Sequence, residues 1–161
     1  MDTIRSMDTR EERAWRSLHF MQARIEGEVA RRLASDAGLS YPDYLVLTAL
    51  ADRPDGRARV FELAAKLGWE KSRLSHHIGR MTDRELVTKE KCDSDRRGSW
   101  VAITTRGRRA ITAAAPSHAE AIRCLFADRL TPRQLDAIAA AAESVLAALD
   151  EPDSVTDRER P

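Results

Sequence analysis

Residues 60–111 read VFELAAKLGWEKSRLSHHIGRMTDRELVTKEKCDSDRRGSWVAITTRGRRAI, and the punctuation of this stretch decides the fold. Val60, Leu63, Ala64 and Leu67 recur at helical spacing, and Gly68 closes that short helix. A second helix follows at once. Leu74, Ile78 and Met81 form its apolar stripe, leaving Lys71, Ser72, Arg73, Ser75, His76 and Arg80 on the outer face. Val87–Cys92 then reads as a strand, Asp93–Gly98 as a turn, and Ser99–Thr104 as a returning strand in which Trp100, Ala102 and Thr104 alternate. The result is a β-hairpin.

Working outward, the segment DRPDG at 52–56 is a turn, and Ser40 caps a preceding helix in an S-x-x-D pattern with Asp43. Pro42 sits early in that helix, where its missing N–H does no harm, and Tyr44, Leu45, Leu47 and Leu50 supply the apolar side. Further upstream, Asp8 or Thr9 caps a long helix with Glu11 and Glu12 in its first turn, and Gly38 ends it. Trp15, Leu18, Met21, Ile25, Val29 and Leu33 recur along it. Downstream, Thr104 or Thr105 opens a helix with Ile111, Ala115, His118, Ile122 and Leu125 at heptad-like spacing and a bend at Pro116. Thr131, Pro132 and Gln134 start the last helix, and Leu135, Ile138, Ala142, Val145 and Leu149 continue the pattern.

Fourteen of the 46 residues from Thr105 to Asp150 are alanine, so these helices can approach closely and offer more packing surface than one small chain covers. A dimer is therefore expected. The fold class is mainly α with a small β-hairpin wing. Residues 10–36 and 105–150 form a helical dimerisation region, and 40–104 form a winged helix-turn-helix lobe; 1–8 and 151–161 are expected to be disordered tails.

A chain of 161 residues with 42% hydrophobic and 33% charged residues fits one soluble domain. No run approaches the ~18 apolar residues of a spanning helix. The charged start, Met1–Glu12, has no apolar signal segment, so a cytoplasmic protein without membrane partners is expected. The fingerprints of the common hydrolases, metalloproteases and nucleotide-binding enzymes are missing, so an enzyme is not expected. Nor is a metal or cofactor: Cys92 and Cys124 lack a C-x-x-C partner, and adjacent His76 and His77 point about 100° apart on a helix.

Net charge is only +1, but the total conceals a polarised chain. From Arg57 to Arg109 there are 14 Lys and Arg against 7 Asp and Glu, which leaves +7 there and −6 elsewhere. That middle stretch is an electrostatic footprint for a phosphate backbone. In a winged helix-turn-helix, the helix after the turn enters the major groove of double-stranded DNA and the hairpin reaches the minor groove. Arg73 and His76 can donate to base edges, while Lys71, Ser72, Ser75 and Arg80 can reach phosphates or bases. Arg96 and Arg97 stand at the hairpin tip, a shape suited to a narrow negative groove, with Asp95 orienting Arg97.

The same residues carry a resemblance. The recognition-like helix, the short link ELV at 85–87, the D-x-R-G wing at 95–98 and the IT-x-x-G at 103–107 resemble the multiple antibiotic resistance regulator (MarR) family, and the flanking helices agree over about residues 10–150. The resemblance implies a homodimeric transcriptional regulator, commonly a repressor, docked on a pseudo-palindrome. It also implies release by a small molecule, often aromatic or phenolic, bound between the dimer helices and the DNA lobe. Trp15, His19, Tyr44 and His118 are the candidate pocket residues. Two alternatives stay open: a winged-helix adaptor that binds a protein partner, and a redox-responsive regulator using Cys92 or Cys124.

Overall fold

A computed structural model describes residues 7–91 and 99–150. The chain divides into two compact units, Met1–Ile122 and Arg123–Pro161. In the first, α1 (Thr9–Ala37) begins at Asp8, which forms a reciprocal capping box with Glu11. Gly38 ends α1 in the left-handed conformation, where a Cβ would be strained. Ser40 and Asp43 form a second capping box at the start of α2 (Tyr41–Ala51). Then come β1 (Arg57–Arg59), α3 (Val60–Leu67), α4 (Lys71–Asp83), β2 (Val87–Lys91), β3 (Ser99–Ile103) and α5 (Thr105–Leu125).

The hairpin expected from the alternation is present, but it belongs to a three-stranded antiparallel sheet of order β1-β3-β2. Between the 52–56 turn and α3 lies β1, a strand that the sequence pattern does not announce. This strand has only three residues, and it exists because Arg57, Ala58 and Arg59 pair with Ala102, Val101 and Trp100, more than 40 positions away. The expected end of β3 at Thr104 is also corrected, because that residue's hydroxyl accepts from the Gly107 N–H at 2.9 Å and caps α5.

Leu39, Val46, Leu47, Leu50, Leu63, Leu74, Ile78, Met81, Val87 and Val101 are almost fully buried and make one core beneath α4 and the sheet. In α2, Val46 and Ala49 join Leu47 and Leu50 in it, whereas Tyr44 and Leu45 are half-buried. The motif residues at 85–87 and 103–107 meet here. Thr104 Oγ1 donates to the carbonyl oxygens of Glu85 at 2.7 Å and Leu86 at 3.1 Å. A Cβ at Gly107 would collide with the Leu86 carbonyl oxygen, so only glycine lets α5 lie this close.

Two expected stripes are only partly buried within the chain itself. On α1 only Val29 and Leu33 are buried, while Trp15 is 62% and Leu18 49% exposed. On α5 the buried residues are Gly107, Ala114 and Ala121, a seven-residue repeat of small side chains; Ala115 faces outward. Close helix approach selects size there, so bulky residues are a poor guide to the phase.

The second unit holds the end of α5, a 3-10 turn at Ala127–Arg129, and α6 (Pro132–Asp150). The expected cap of α6 is present, with the Thr131 N–H donating to Gln134 Oε1 at 2.9 Å and the Gln134 N–H to Thr131 Oγ1 at 3.4 Å. None of the residues of α6 is buried. Among the described residues no helix is long and apolar enough to cross a membrane.

Candidate nucleic-acid interface

The α3–turn–α4 unit sets one face of α4 into the core through Leu74, His77, Ile78 and Met81. Its 3.6-residue period then presents Lys71, Ser72, Arg73, His76 and Arg80 to solvent, with Ser75 half-buried at the border. His76 and His77 part as expected, one outward and one inward. The first turn of α4 contains no acidic residue to repel a phosphate. The Arg73 guanidinium lies 4.7 Å above the ring of Trp69, which fixes its direction by a cation–π contact. Arg80 Nη2 is 2.9 Å from Nδ1 of His77. Arg96, Arg97 and Cys92 lie outside the described residues.

Beneath α4 sits a polar cluster that sequence reading missed. Asp43, buried at the start of α2, receives the Ser40 N–H at 2.9 Å and Arg84 Nη1 at 2.7 Å on Oδ2. Oδ1 faces His77 Nε2 at 3.0 Å, a charge-dipole contact rather than an aligned hydrogen bond. Arg84 also donates to the Gly38 carbonyl oxygen at 2.7 Å. Burial disfavours the Asp43 carboxylate, but His77, Arg84 and Ser40 outweigh it and hold the carboxyl well below the usual carboxylate range. A buried charge is tolerated because two donors, one of them the Arg84 guanidinium, meet Oδ2 and the His77 ring edge faces Oδ1. The cap pattern at 40–43 was legible, but its partners 34 and 41 positions away were not.

A second feature outside the expected set is an arginine pair at the sheet edge. The guanidinium carbons of Arg57 and Arg59 lie 4.9 and 5.2 Å from the centroid of the Trp100 ring. The two-residue alternation Arg57-Ala58-Arg59 is the signal that could have disclosed it.

The four candidate pocket residues fall into two pairs. Tyr44 on α2 and His118 on α5, both half-buried, bring their rings to 4.4 Å. Burial lowers the His118 pKa, so the ring is neutral at pH 7, and its Nδ1 is buried without a hydrogen-bond partner. Burial raises the Tyr44 phenol. Trp15 and His19 stack on one another on the exposed surface of α1, with centroids 6.3 Å apart. Cys124 is half-buried near the end of α5.

A basic helix seated on a helix-turn-helix and flanked by a β-hairpin defines a winged-helix DNA-binding regulator. A family model described as the MarR family matches residues 37–98. The chain is 30% identical over 101 residues to the transcriptional regulator HosA of Escherichia coli, spanning 63% of this chain and 73% of that one. Two crystal structures from Streptomyces coelicolor are similar throughout. AbsC, a MarR family transcriptional regulator, is 31% identical with a TM-score of 0.81 over 92% of this chain and 99% of its own. Sco3205, solved in complex with DNA, is 32% identical with a TM-score of 0.84 over 98% of both chains. The chain belongs to the MarR family of transcriptional regulators. That family and fold are those of regulators, not enzymes.

Proposed function

We propose that this protein is a homodimeric transcriptional repressor, released from its operator by a small aromatic or phenolic molecule. The observation that carries the reading is the split of α4 into a buried apolar face and an exposed face bearing Lys71, Ser72, Arg73, His76 and Arg80. Residues 40–104 are the DNA lobe, with Arg73 and His76 reading bases, Lys71, Ser72, Ser75 and Arg80 holding phosphates, and Arg96 and Arg97 entering the minor groove. The helices in 10–36 and 105–150 pair with a second copy. The apolar side chains left exposed on α1 and on α6 support this. The DNA-bound state of Sco3205 supports DNA as the partner.

For the effector, Tyr44 and His118 supply an aromatic wall and a neutral ring nitrogen that lacks a partner. Trp15 and His19 belong to the α1 surface that the second copy covers. Binding at Tyr44 and His118 can release DNA only if it favours the non-binding arrangement of the lobes.

The test is selection of duplexes from a random-sequence pool with purified protein, followed by affinity measurements across salt. A pseudo-palindrome with half-sites about 10 base pairs apart is expected. Arg73→Ala should cost about 1–3 kcal/mol on that duplex and relax preference at one base pair. Absence of salt-dependent binding overturns the reading. For release, aromatic acids are screened for one that raises Tm and weakens binding to the selected duplex.

A further inference from the structure

His77 lies on the inward side of α4, yet both of its ring nitrogens face charged groups. A guanidinium has only donors, so Nδ1, at 2.9 Å from Arg80 Nη2, is the unprotonated acceptor. The ring proton then sits on Nε2, which lies 3.0 Å from Asp43 Oδ1 without an aligned hydrogen bond. Trp69 meets the ring edge-on at a centroid distance of 5.7 Å and an angle of 87°. The imidazole is thus held by α2 on one side and by the turn before α4 on another. Arg80, three residues along the same helix, is exposed, with its guanidinium tied by one arm to this ring.

Taking α4 as the DNA-facing helix, we propose that His77 is a positioning residue for DNA binding, its neutral Nδ1 anchoring one arm of Arg80 so that the other N–H groups meet a phosphate already oriented. Arginine otherwise surrenders much rotamer freedom on docking, and a preordered fork surrenders less. His77 touches no DNA itself. It acts through Arg80, and Asp43, fixed by Ser40 and Arg84, keeps the ring in the required orientation.

The experiment measures binding of the random-sequence duplex pool, at about 30 base pairs, by fluorescence anisotropy across salt concentrations. Arg80→Ala should weaken binding roughly tenfold and lower the slope of log Kd against log salt by about 1, whereas His77→Phe should weaken it about threefold to tenfold with the slope kept, because the Arg80 charge remains but is no longer ordered. The double variant should bind no worse than Arg80→Ala alone, because ordering by His77 has no effect once the guanidinium is gone. His77→Asn places an amide oxygen where Nδ1 lies and should restore affinity. His77→Gln carries its oxygen toward the Nε2 position and should behave like His77→Phe, for which it substitutes if melting shows that the phenylalanine variant does not fold. The proposal is overturned if the wild type binds with a salt slope but the His77 and Arg80 effects add, or if the Asn and Gln variants bind alike. A wild type that does not bind the pool overturns both this inference and the assignment of α4.

Discussion

The helices α4 and α6 are similar in kind but opposite in how they are used. Four residues of the 13-residue α4 are buried, and its apolar stripe is completed by α3, β2 and the rest of the lobe. The 19-residue α6 buries none, and Val145, Leu146 and Leu149 are 61%, 58% and 74% exposed. An apolar stripe in sequence therefore says that a helix wants a neighbour, not where that neighbour comes from. The lobe satisfies itself, whereas α6 and the first half of α1 display apolar surface of the kind that marks an interaction site.

The comparison is tested most severely by matched truncations. Leu74→Ala should lower the unfolding free energy by about 2–5 kcal/mol in chemical denaturation, since a fully buried leucine leaves a cavity. Leu149→Ala should lower it by a smaller amount that depends on protein concentration; a loss independent of concentration would show that α6 is satisfied within its own chain. Next in size, charging the surface with Leu146→Glu and Leu149→Glu together should yield a monomer in analytical ultracentrifugation. The monomer should have an intact lobe and, on the proposed dimeric docking, DNA affinity reduced about 100-fold, since one molecule would no longer engage two half-sites.

A smaller effect separates the lobe by pH. Asp43 has a folded pKa below the ordinary 3.8, so the stability it contributes is complete above that value and is lost as pH falls through the folded one. The wild type should lose stability in acid faster than Asp43→Asn, with the two denaturation curves converging at low pH. Parallel curves would remove the carboxylate from the account of the lobe. The smallest change concerns Glu85, a non-glycine residue at φ 59°. Glu85→Gly relieves a left-handed penalty but loses the exposed pair with Arg106 at 2.8 Å, so Tm should rise by an increment worth about 1 kcal/mol or less.

What was legible in the sequence was local. The caps at Asp8, Ser40 and Thr131, the stops at Gly38 and Gly68, and the outward set on α4 depend on residues within a few positions of one another. What was not legible depends on distant partners. β1 exists only through β3, and Asp43 is satisfied only by residues of α4 and the link after it. On α5 the expected stripe omits its most buried positions, because Ala114 and Ala121 are buried for their smallness. His77 was passed over as half of a histidine pair, since nothing beside it in sequence announces Asp43.

The three tryptophans sit in three chemically distinct places: Trp15 on the open surface of α1, Trp69 under Arg73 at the entry to α4, and Trp100 against Arg57 and Arg59 on the sheet. Indole emission shifts with polarity and is quenched by nearby charge, so the chain carries its own set of optical reporters. With two of the three replaced by phenylalanine, the remaining emission would report on one step of the proposed function: subunit pairing at Trp15, groove entry at Trp69, or movement at the base of the wing at Trp100. The order in which the proposed dimer assembles, docks and lets go could then be read from the molecule without attaching a dye.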